Sequence, residues 1–293
     1  MMFEFYALAC AFLWAISSFI VRTQAPTMTP AVMNAIRCSA AGIVFWMLLP
    51  FNASAADFAA VSLPLGVLLI GSIVVNIVLG DTLSLMSIRA IGLSRSMPLA
   101  STFPVTTIIA EYLLLGEAAG PDLIVAAGLI VLGSYFLSRS RKGAQGSRDL
   151  SARELRLGVG FALGASVMWG LGTVLLKPVL EEVSILVTNS IRMPAAVALL
   201  ILVRIIPAER RQLHLITARN VVLLVISGLI GMALGSYLFL AALQGLEASR
   251  VVTLLAVSPL FGMLLSVLFL KEKVGSNVIA GMVLCFAGVV VAF

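Results

Sequence analysis

The sequence predicts an all-α integral membrane protein of ten transmembrane helices, arranged as two inverted five-helix repeats. Three observations predict it. The first is composition: 61% of the 293 residues are hydrophobic and 11% charged, with a mean hydropathy of +1.14, whereas soluble domains carry about 25% charged residues. The second is a series of uncharged stretches: Phe5–Val21, Cys38–Ala56, Phe58–Gly80, Leu157–Leu176, Val221–Leu246, Val251–Leu270 and Val274–Phe293. Each is near the ~17–25 residues that cross a bilayer as a helix, and none shows the alternation of a barrel strand. The third is a repeat in register at an interval of 155 residues. Trp14 returns as Trp169, Asn34 as Asn189, Arg37 as Arg192, Gly80 as Gly235, Pro104 as Pro259, Glu117 as Glu272 and Gly133 as Gly288.

The spans read in order. The first, 5–21, follows Glu4 with no preceding Lys or Arg and no Ala-x-Ala site after it, so it is expected to be retained rather than cleaved. The second, 31–50, carries Asn34 and Arg37, and the third, 63–88, carries Asn76 and Asp81. The fourth, 94–115, contains Pro98, Pro104 and Glu111 and ends at Glu117, and the fifth, 121–138, closes the first repeat. A basic Gly/Ser-containing linker, 139–156, separates the repeat units 1–138 and 157–293. Spans 157–176, 185–203, 220–243, 251–270 and 275–293 then repeat the order.

Five spans per repeat is an odd number, so the second repeat enters the membrane from the opposite side. Loops on one side carry 15 basic residues, six of them in 139–156, and loops on the other carry only Lys177 and Arg250. The positive-inside rule puts the 139–156 loop in the cytoplasm and both termini outside. The net charge of +6 is therefore topological and does not call for nucleic acid. Cys10, Cys38 and Cys285 lie in apolar segments without metal-ligand spacing and read as packing residues. His214 sits in a basic loop and reads as solvated.

Local wording adds a resemblance. Phe12-Leu13-Trp14-Ala15 and Val167-Met168-Trp169-Gly170 place a tryptophan in the first helix of each repeat. An Asn-x-x-Arg follows in the second helix of each (Asn34, Arg37; Asn189, Arg192). Pro104 leads to Leu115-Gly116-Glu117, and Ser258-Pro259 leads to Leu270-Lys271-Glu272. With these motifs the chain resembles the EamA family of the drug/metabolite transporter superfamily over nearly its whole length. The resemblance implies a ten-helix, basket-like secondary transporter in the cell membrane, with a central cavity between the halves. It also implies small metabolites such as amino acids as substrates, often moved outward. Many family members are described with cytoplasmic termini, the reverse of the charge bias here.

Ionised and polar groups are costly in lipid, so those within spans should face a cavity or a partner. Trp14, Ser17 and Ser18 share a helical face, and Asn34 lies one turn from Arg37, as Asn189 does from Arg192. With Asn76 and Trp169 these are candidates to line a substrate cavity. The alternative for each is a role in helix packing. Asp81 and Glu111 have Ser236 and Ser266 as their counterparts in the other repeat, and this asymmetry makes them candidates for coupling to a proton or another ion. Arg37 with Glu272, and Arg192 with Glu117, would form one ion pair per membrane face, an alternating gate. Otherwise each arginine snorkels to headgroups or bonds nearby helix-end carbonyls. Pro104 and Pro259 are candidate hinges, or static kinks.

No metal constellation, phosphate-cradling loop or nucleophile–base pair is present, so no cofactor and no enzymatic activity are expected. The expected function is secondary transport, with export on family grounds, by alternating access between the repeats. A lipid-carrier flippase would instead need a lateral opening lined by basic residues. A non-transporting membrane assembly factor would have no central cavity. A monomer suffices, since one chain supplies both halves.

Overall fold

Proline and hydroxyl residues set where the helices begin. The computed structural model describes residues 1–24, 28–91, 96, 99–139, 151–203, 205, 216–270 and 275–293, and its named elements are all helical. The first repeat contains α1 (Met2–Gln24), α2 (Pro30–Asn52), the short α3 (Ala55–Ala59) and α4 (Leu63–Ile73). A π-helical segment, Val74–Asp81, joins α4 to α5 (Thr82–Ile91), and α6 (Phe103–Leu115) and α7 (Pro121–Arg139) follow. The second repeat contains α8 (Ala152–Val174), α9 (Lys177–Glu182), α10 (Ile185–Leu200) and α11 (Ala218–Gly228). A second π segment, Leu229–Leu234, leads into α12 (Gly235–Gly245), then α13 (Ala248–Leu255), α14 (Ser258–Leu270) and α15 (Ser276–Ala292).

Prolines occupy the first turns of α2, α4, α6 and α9, where a missing N–H breaks no helical bond. Ser151 and Glu154 form a reciprocal capping box for α8, and Ser184 and Thr217 cap α10 and α11 through their side chains. Gly116 ends α6 in the left-handed region at φ 74°, a conformation that disfavours a Cβ.

Six helical runs are long and apolar enough to cross a membrane: Met2–Val21, Ala31–Asn52, Leu63–Ile88, Ala152–Glu182, Ile185–Val203 and Ala218–Gly245. Phe103–Leu115, Pro121–Leu137, Ala248–Gly262 and Ser276–Ala292 are shorter apolar helices that complete the ten predicted positions. Large apolar side chains such as Met47, Phe51, Leu63, Leu113 and Phe286 point outward, while Asn189, Arg192 and Glu111 are buried. This distribution suits a bundle whose solvent is hydrocarbon.

The two repeats interlock. Helix α1 packs on α11–α12, α13 and α14 of the second repeat, and α8 packs correspondingly on α5, the first π segment and α6 of the first. Helices α2 and α10 pair across the repeats, and so do α7 and α15. Small residues allow the second crossing: a Cβ on Gly133 would lie 2.8 Å from the Gly281 carbonyl oxygen, and one on Gly288 would lie 2.9 Å from that of Ala126. Those two contacts exchange under the 155-residue repeat.

Three features depart from the predicted spans. The third and eighth helices contain π segments at repeat-related positions, which apolar periodicity does not disclose. The fourth and ninth are broken rather than bent: turns at Ser101–Thr102 and Ala256–Val257 precede Pro104 and Pro259. A proline cannot donate to the carbonyl four residues back, and side chains take up nearby carbonyls instead. Thr102 Oγ1 donates to the Leu99 carbonyl and Ser258 Oγ to that of Leu255, each at 2.6 Å. Finally, the capping box starts α8 at Ala152, inside the segment read as linker.

Candidate functional site

Helix α2 presents Asn34 and Arg37 on one face, and the crossing of α1, the first π segment and α8 supplies their partners. Arg37 Nη1 donates to Asn34 Oδ1 at 2.8 Å, and Asn34 Nδ2 donates to Asp81 Oδ2 at 3.0 Å. The amide thus links a cation to an anion, with an acceptor turned to one and a donor to the other. Asp81 Oδ1 accepts from Trp169 Nε1 of the second repeat at 3.0 Å. Arg37 Nη2 donates to Ser17 Oγ at 2.9 Å, and Ser17 Oγ stands 2.8 Å from Ser227 Oγ. One polar chain therefore runs from Ser227 to Trp169, crossing between the repeats at both ends.

The repeat-related set differs. Trp14 Nε1 donates to the Gly231 carbonyl, inside the second π segment, at 2.9 Å. Ser236, which replaces Asp81, donates its hydroxyl to Asn189 Oδ1 at 2.9 Å. Among the described residues Arg192 Nε and Nη1, Asn189 Nδ2 and Thr188 Oγ1 are buried without a hydrogen-bond partner, whereas in the first set only Arg37 Nε is. The two tryptophans are otherwise alike. A Cβ on Gly80 would lie 2.7 Å from Trp169 Cδ1, and one on Gly235 would lie 3.0 Å from Trp14 Cδ1. Glycine at these two points lets each indole lie against the opposite repeat.

The family comparison accords with this two-fold arrangement. The sequence model of the EamA-like transporter family matches residues 1–139 and 156–293. The chain belongs to the EamA-like transporter family. An uncharacterized transporter of Clostridium kluyveri is 30% identical over 204 residues, which is 68% of this chain but 63% of that relative, less than two thirds of its length. An uncharacterized transporter of Archaeoglobus fulgidus is 22% identical over 275 residues, 94% of this chain and 92% of the relative. A crystal structure superposes with a TM-score of 0.81 at 16% identity, covering 99% of this chain and 96% of that one, and shows the shared fold.

Within this EamA-like architecture the other candidate residues fall in different places. Ser18 is exposed and takes no part in the network, although it shares a helical face with Trp14 and Ser17. Asn76 stands half-buried against Gly172, whose added Cβ would lie 2.7 Å from Asn76 Cβ. The repeat-related contact is Ser17 on Gly231, so the larger residue changes sides across the two-fold. Glu272 lies outside the described residues. Glu117 is exposed at the end of α6 while Arg192 is 4% exposed, and no ion pair joins them here.

Glu111, 2% exposed, serves as a distant helix cap. Its two oxygens accept from the backbone N–H groups of Ala248 at 2.6 Å and Ser249 at 3.0 Å, the first residues of α13. A carboxylate at a helix N-terminus satisfies orphan donors and complements the helix dipole. Sequence reasoning missed Ser227 and Thr188, which are unremarkable alone and acquire partners or isolation only through packing. It also missed Trp46, whose Nε1 donates to the Ser190 carbonyl at 2.9 Å and ties α2 to α10.

Beside the α2–α10 pair lies a groove of about 720 Å³ that α11 completes. Ile36, Ile43, Val197, Ile201 and Val225 line it, and its lining contains neither Arg37 nor Arg192.

Proposed function

We propose that this chain is a secondary transporter that exports small metabolites such as amino acids, by alternating access between its inverted repeats. The observation that carries the reading is the unequal pair of half-sites at the repeat interface. Each has a tryptophan, an asparagine and an arginine, but among the described residues only the first has a carboxylate, Asp81. Ionisable groups inside a membrane bundle mark solute or proton pathways.

Asp81 is the coupling residue in this scheme. As a carboxylate it accepts from Asn34 and Trp169 and holds the first and second repeats together. A proton on it would remove one acceptor and the charge that Arg37 faces through Asn34, loosening α2 from the first π segment. The helix breaks before Pro104 and Pro259 would be the hinges of the accompanying movement. The protein would lie in the cell membrane with the 139–156 loop in the cytoplasm and both termini outside, following the positive-inside rule.

A lipid-carrier flippase is the weaker reading, because the lateral groove is apolar and lacks both arginines. The test is flux of a radiolabelled metabolite panel in proteoliposomes, with and without a proton gradient, for wild type and Asp81→Asn. Gradient-driven flux in wild type, lost in the variant, is expected. Flux that responds to the gradient equally in both would remove Asp81 from coupling. No flux across the panel from folded protein would contradict transport and favour an assembly role.

A further inference from the structure

Among the described residues, the second half-site holds a buried cation without its anion. Arg192 is 4% exposed, and Asn189 and Thr188 are 0% exposed. All three lie on neighbouring faces of α10, at i, i+1 and i+4 from Thr188. Among the described residues Arg192 Nε and Nη1, Asn189 Nδ2 and Thr188 Oγ1 have no hydrogen-bond partner. The position that supplies a carboxylate in the first repeat, Asp81, is Ser236 here, and its hydroxyl is already given to Asn189 Oδ1. Turning the Asn189 amide over could offer Arg192 a neutral acceptor but no negative charge. An unpaired buried guanidinium is among the most costly groups a bundle can hold.

We propose that Thr188, Asn189 and Arg192 form the recognition site for the carboxylate of the transported solute. The guanidinium, amide and hydroxyl all donate, which suits an acceptor-only group. Among the described residues one charge lacks a counter-ion, because Arg37, although its Nε is also buried without a hydrogen-bond partner, faces Asp81 through Asn34. One positive charge with two neutral donors matches a monoanion better than a phosphate, which would call for a second cation. The proposal deepens the transporter reading and depends on it only for the ligand being a transported solute.

The discriminating variant is Ser236→Asp, which gives the second half-site the carboxylate of the first. Thermal unfolding would be followed in neutral-lipid nanodiscs with L-leucine, 4-methylpentanoate and L-leucinamide as probes, and separately with inorganic phosphate and with phosphatidylglycerol. The two carboxylates are expected to raise the Tm of wild type, and the amide is not. In Ser236→Asp the probe-free Tm should rise by about 2–4 °C, and carboxylate binding should weaken by about tenfold or more. Arg192→Lys should keep the fold and retain part of the carboxylate effect. Equal stabilisation by leucinamide, unchanged carboxylate binding in Ser236→Asp, or stabilisation by phosphate or phosphatidylglycerol alone would overturn the proposal. Parallel flux measurements separate the two readings. Carboxylate-specific stabilisation without flux leaves the site and removes transport, whereas leucine flux unchanged in Ser236→Asp removes the site and leaves transport.

Discussion

In the first repeat Arg37 reaches a carboxylate through Asn34, and a tryptophan of the opposite repeat closes the far side of Asp81. In the second, Arg192 occupies the equivalent position, Asn189 is turned to a serine, and Trp14 donates to a backbone carbonyl instead. The frame is shared and the charge balance is not. An exact duplicate would hold two charge-balanced networks, or two demands for an anion. The replacement of one aspartate by serine makes one half-site internally neutral and leaves the other with an open charge.

The comparison can be broken most strongly at Asp81. Asp81→Ser would leave Arg37 as uncompensated as Arg192 and strip Trp169 of its acceptor. Two hydrogen bonds to a half-buried carboxylate would be lost, each worth about 1.5–3 kcal/mol, so a fall of several degrees in Tm is expected from thermal unfolding in detergent. Next in size is the α7–α15 crossing, where the repeats are alike. Gly281→Leu would drive a side chain into Gly133 and Leu137, whose Cγ lies 2.7 Å from the position of an added Cβ. Overpacking of this kind costs about 1–3 kcal/mol. Gly133→Leu should do the same, which a Tm series would show.

The tryptophans sharpen the contrast. Trp169→Phe loses a bond to a carboxylate, worth about 1.5–3 kcal/mol, and Trp14→Phe one to a carbonyl, worth about 0.5–1.5. The first should lower Tm more than the second although both indoles lie on equivalent glycines. Smaller again is Glu111→Gln, which keeps one acceptor for the α13 start and should cost about 1 kcal/mol. Its flux should respond to a proton gradient as wild type does, whereas Asp81→Asn should not.

Much of this was legible in the sequence. Lipid as the solvent, the ten positions and the two-fold follow from uncharged runs and from a register that a tryptophan, an asparagine, an arginine and a proline share. Asn34 and Arg37 on one face, and the lack of an acidic mate for Asp81, were legible as well. The pairing of those groups was not, because it depends on which helices cross. Asp81 meets Trp169 only because α8 packs on the first π segment, and Glu111 meets Ala248 only because α6 lies under the start of α13. The π segments escaped because a period of apolar residues cannot register one extra residue in a turn. Ser18 misled because helical spacing defines a face without saying how far it is buried.

The most direct measurement of the asymmetry is thermal unfolding of Ser236→Asp, Asp81→Ser and the double exchange, side by side and without added solute. The account predicts opposite signs: Ser236→Asp above wild type, Asp81→Ser below it, and the exchange between them. Destabilisation by both single changes would contradict it, since Arg192 would then already have its charge compensated.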